Sequence, residues 1–156
     1  MDKSLWNIPL ILKRMLEIML VLGSIFIVAL PFVTAFMNEH IINSYFTGGS
    51  NDKWMTFVFI ELCGLCCWFI LFFLQKLLKT VIQTSPFVYK NVLYLKYTSY
   101  VCAVAGLVLI AKSFLDFTVL TPVVAILAVL ASLFCQTLAA VFDKAVRLKD
   151  ENDLTI

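Results

Sequence analysis

Apolar positions fall into four long blocks, at about 15–37, 55–78, 98–117 and 122–142, separated by short polar stretches. Each block is long enough, at about 1.5 Å per residue, to cross a hydrocarbon core of roughly 30 Å. The pattern predicts an all-α integral membrane bundle of four transmembrane helices. Residues 1–156 read as a single membrane domain.

Within the first block Glu17, Ser24, Pro31 and Asn38 recur every seven residues, which predicts a shared face towards the bundle. Glu17 is one turn from Lys13 and Arg14, and a local ion pair is expected there. The residues before it, Met1 to Arg14, read as a mildly amphipathic interfacial segment. The third and fourth blocks carry seams of small residues, Ser99, Cys102, Ala103 and Gly106 on one, Ala125, Ala128, Ser132, Cys135 and Ala139 on the other. Lipid supplies no hydrophobic drive between helices, so seams that let backbones approach predict pairing of these two. Ser85-Pro86 and Thr121-Pro122 read as helix starts, a capping hydroxyl followed by proline in the first turn.

Composition sharpens the membrane reading. Hydrophobic residues make up 62% of the chain and charged residues 14%, with a mean hydropathy of +0.98. A water-soluble domain has too few polar groups at these proportions to cover its apolar surface. The net charge of +2 is too small to suggest direct nucleic-acid binding. All five cysteines (Cys63, Cys66, Cys67, Cys102, Cys135) lie in the apolar blocks and are expected to pack, since a metal site needs about four convergent ligands. His40, in the polar stretch Asn38 to Lys53, reads as a surface residue. No catalytic constellation is visible, and neither an enzyme nor a bound cofactor or metal is expected.

Charge distribution says more than net charge. Ten of the twelve basic residues fall in the N-terminal segment, the middle loop and the tail; only Lys53 and Lys112 fall on the other side. The positive-inside rule then predicts that both termini and the 76–96 loop face the cytoplasm.

Glu61 stands inside the second block, where a charge costs roughly 2.5–3.5 kcal/mol unless compensated. The expected topology puts Lys112 at a similar depth, with Asp116 one turn further on. Two readings are open: a buried pair that fixes helix register, or a polar site for an ion or small ligand. The remaining candidate surface is at the expected cytoplasmic end, where the capped, basic, aromatic stretch from Ser85 meets the mixed-charge tail.

The segment TSPFVYKNVLYLK, with Pro86-Phe87 and Asn91, resembles a stretch shared by a family of small four-helix bacterial membrane proteins catalogued as a domain of unknown function. The tail VFDKAVRLKDENDLTI, with Glu151 and Asp153-Leu154-Thr155, resembles that family's closing pattern. The likeness covers essentially the whole chain. A glycine often precedes the Pro-Phe pair in the family; here it is Ser85. The resemblance implies a bacterial cytoplasmic membrane protein with the lipid bilayer around it. It also implies a possible partner, a small helix-turn-helix regulator, and carries no catalytic residue. Ser85, Pro86, Phe87, Asn91, Glu151 and Asp153 are the candidate docking residues for such a regulator. A small transporter or export/immunity accessory subunit using a Glu61/Lys112 polar site, with Lys112 one turn from Asp116, is the alternative.

Reporter fusions check the expected topology. A fusion at Gly49 should report an external location and one after Ile156 a cytoplasmic location; a cytoplasmic signal at Gly49 contradicts the assignment.

Overall fold

The computed structural model describes residues 3–36, 53–83, 88–115 and 120–153, and all of these apart from Val88 are helical. The helices are α1 (Lys3–Phe36), α2 (Lys53–Gln83), α3 (Tyr89–Leu115) and α4 (Leu120–Asp153). All four are long and apolar enough to cross a membrane. The Ser85-Pro86 start, His40 and its polar stretch, Asp116, and Leu154 to Ile156 lie outside the described residues.

Two helices are longer than the apolar pattern requires. At 34 residues each, α1 and α4 span about 51 Å at 1.5 Å per residue. Residues 3–14, expected as a separate interfacial segment, belong to α1: nothing between Leu10 and Met15 breaks a helix, so it runs on through Lys13 and Arg14. Likewise α4 does not stop near Phe142 but carries the charged tail as helix to Asp153. Pro122 stands in its first turn, where a missing N–H costs nothing. Third-span helix also continues without a break through Tyr97, as expected.

Each helix packs mainly on its sequence neighbours: α1 on α2, α2 on α3, and most extensively α3 on α4. The α3–α4 seam explains the difference. Val92, Ser99 and Gly106 are buried on α3, and Ala125, Ser132, Ala139 and Val146 on α4. Both sets recur every seven residues, the period at which two helices stay in register by winding gently left-handed. The layers are antiparallel: Val92 clusters with Ala139 and Val146, Ser99 meets Ser132, and Gly106 meets Ala125 and Val129.

The serine layer is reciprocal. Ser99 Oγ donates to the Ser132 carbonyl at 3.0 Å and Ser132 Oγ donates to the Ser99 carbonyl at 2.9 Å. Each hydroxyl thus spends its one proton across the interface. Such bonds average about 0.6 kcal/mol in membrane proteins, so they fix register more than they hold the helices together.

On α1 the inward face differs from the expected heptad. Leu20 and Leu30 are buried, Gly23 and Ile27 half-buried, while Glu17 and Pro31 are exposed. Gly23 lies against Trp68, and Ile27 against Gly64. Ser24 sits at the edge of this face, accepting from Trp68 Nε1 at 2.9 Å and donating to the Leu20 carbonyl at 2.9 Å.

A Cβ on Gly106 would approach Val129 Cγ2 to 3.0 Å. Gly106→Leu should therefore destabilise the protein by about 1–3 kcal/mol through overpacking. Val129→Ala in the same chain should recover most of that loss in detergent unfolding. Equal stability of the single variant and the unmodified protein would mean the seam is not closely packed there.

Candidate functional site

Glu61 lies on α2, level with Leu30 of α1 in the antiparallel register set by the Ile27–Gly64 and Gly23–Trp68 contacts. It is half-buried, and its Oε2 atom is enclosed without a hydrogen-bond partner. Lys112 stands on α3, half-buried. Among the described residues no ion pair joins it to Glu61. The expected direct ion pair is therefore not formed among the described residues.

The second candidate region is the basic end. Described helix begins in α3 at Tyr89, with Asn91 N–H donating to the Val88 carbonyl at 2.9 Å. Asn91 and Val92 are both fully buried. That corrects the expectation for Asn91, which cannot present itself to a docking partner. Next to it, α4 continues past the apolar block and packs Ala139, Phe142 and Val146 around Val92 and Leu95 of α3. Ser85, Pro86 and Phe87 lie outside the described residues, as does the side chain of Asp153. Glu151 is exposed on α4, beside exposed Lys144, Arg147, Lys149 and Asp150.

Local pairs neutralise part of this charge. Lys13 meets Glu17 at 3.9 Å, the pair expected on α1, and Arg147 meets Asp143 at 3.1 Å on α4. Both are one-turn surface pairs, a class that contributes only about 0.3–0.5 kcal/mol in water.

A chain of aromatic contacts links the two regions. Trp68 stacks on Phe72 at 5.7 Å, Lys76 Nζ lies 5.3 Å from the Phe72 centroid, and Phe73 stacks on Tyr97 of α3 at 5.5 Å. Residues 68, 72 and 76 are each one turn apart, a spacing present in the sequence but hard to single out among fourteen phenylalanines.

Four apolar helices, with intramembrane seams of small and hydroxyl residues and charge gathered at one end, define a multi-pass membrane protein. Residues 41–156 match the family model described as protein of unknown function (DUF2975), and the chain belongs to that family. The match starts at residue 41, later than a whole-chain likeness implied, so α1 lies outside it. No curated protein and no solved structure matches the chain.

The enclosed Glu61 oxygen generates a prediction. A buried carboxylate oxygen with no partner costs the fold, typically by about 1–3 kcal/mol. Glu61→Leu should raise the melting midpoint in detergent, and its effect should add to that of Lys112→Met. Strong non-additivity would restore the direct pair.

Proposed function

We propose that this membrane protein is non-enzymatic and serves as a partner or sensor for a small cytoplasmic DNA-binding regulator, which it holds at its basic end. One observation carries the reading: α4 runs unbroken to Asp153 and is packed through Val146 and Ala139 against the first turns of α3. The tail thus continues a packed helix, which supports reading it as a ledge. Its exposed Lys144, Arg147, Lys149, Asp150 and Glu151 offer both signs of charge within three turns. A basic regulator bound to the acidic positions would be kept from its operator, because the same cations neutralise DNA phosphates. The reading places this end in the cytoplasm of a bacterial cell, consistent with ten basic residues on that side.

The enclosed Glu61 oxygen favours a second reading, transport or export assistance through a polar site with Lys112. The two readings separate cleanly, since Glu61→Gln should abolish the second function and leave the first intact.

The test is co-purification of a helix-turn-helix regulator encoded beside the gene, under mild detergent and moderate salt. The full chain should retain it, and a chain ending at Asp143 should lose it. Failure of the full chain to retain the regulator overturns the proposal.

A further inference from the structure

Between Glu61 and Asp116 the chain contains no acidic residue, yet it contains Lys76, Lys79, Lys90 and Lys96. The fold brings these four to one end of the α2–α3 hairpin. Phe73 stacks on Tyr97 and sets the register of the α2–α3 pair. Lys76 and Lys96 lie three residues and one residue from that stack, within about 5 Å along the helices; Lys79 and Lys90 lie about 10 Å away, towards the basic end. Two tiers of lysine result. Lys76, Lys79 and Lys90 are exposed and Lys96 is half-buried. Among the described residues none of the four is in an ion pair. This is unlike the ends of α1 and α4, where Glu17 and Asp143 offset neighbouring cations. Below the inner tier, α3 turns an apolar stripe outward: Tyr97, Tyr100, Val104 and Leu107 are 48–66% exposed at helical spacing.

We infer that the α2–α3 hairpin carries a binding site for an anionic phospholipid, with the headgroup phosphate held between the two lysine tiers and an acyl chain along the Tyr97–Leu107 stripe. Charge complementarity selects the anion: four unneutralised cations on one hairpin attract a negative headgroup within a Debye length. Apolar continuity selects a lipid over free phosphate, since only an amphiphile satisfies the lysines and the stripe together. Lys76 Nζ lies over the Phe72 ring, its stem on apolar surface and its ammonium within reach of a headgroup at the depth of the inner tier. Tyr97 and Tyr100 suit the same boundary, with apolar rings and polar tips.

The experiment is thermal melting of the full-length protein in neutral detergent, titrated with phosphatidylglycerol, phosphatidylcholine or inorganic phosphate. Phosphatidylglycerol should raise the midpoint saturably while the other two do not. Its half-saturating concentration should rise about fivefold for each lysine replaced in Lys76→Gln with Lys96→Gln, as removal of one near-surface cation implies. Lys13→Gln with Arg14→Gln removes equal charge from the same end and should leave the lipid response unchanged. If the inner-tier variant does not fold, Lys79→Gln with Lys90→Gln serves in its place. Equal responses to phosphatidylglycerol and phosphatidylcholine, an equal response to phosphate, or an unchanged half-saturation in the lysine variants would each overturn the site.

Discussion

Close approach of α3 and α4 along a seven-residue repeat of small side chains is the constraint on which the rest of this structure depends. In a bilayer, lipid tails solvate leucine as well as another leucine does, so helices gain by packing only where their surfaces fit better than lipid fits either. Gly106 against Ala125 and Val129, Ser99 against Ser132, and Val92 against Ala139 provide that fit in successive layers. Register at the seam also decides the packing beyond it: the Val146 end of α4 must lie over Val92 at the start of α3.

Attachment weakens away from the seam. α2 meets α3 through aromatic rings, and α1 meets α2 through two glycines and one shared hydroxyl. On α1, twelve large apolar residues from Ile11 to Val33 are exposed. In water such a surface would be a liability; here lipid covers it. The family match begins at residue 41, after α1, so the part of the chain that defines the family is the part with the tighter packing.

Much of the architecture was legible in the sequence. Block length specified four helices, and small-residue seams specified which pair would be closest. One-turn spacing specified the Lys13–Glu17 pair. Rotation about the helix axis was harder. A helix that is apolar all round carries little amphipathic signal, so its inward face depends on shape complementarity with a neighbour. That is why the inward face of α1 includes Gly23 and Ile27 and omits Pro31. Asn91 failed for a related reason. A polar residue near a helix start reads as surface, and its burial is decided by tertiary packing that the local pattern does not carry.

The unbroken run of α4 has a mechanical consequence. From Ser132, mid-seam, to Asp153 the helix extends about 31 Å at 1.5 Å per residue without proline or glycine to absorb a bend. A rigid rod of that length is a lever with its fulcrum inside the bilayer. Tilting it by 10° at the serine layer, together with the start of α3 that Ala139 and Val146 hold against it, would sweep its far end sideways by about 5 Å, roughly one helical turn's pitch. Small changes in lipid thickness or lateral pressure would therefore reach the aqueous end enlarged, as displacement of a charged tip.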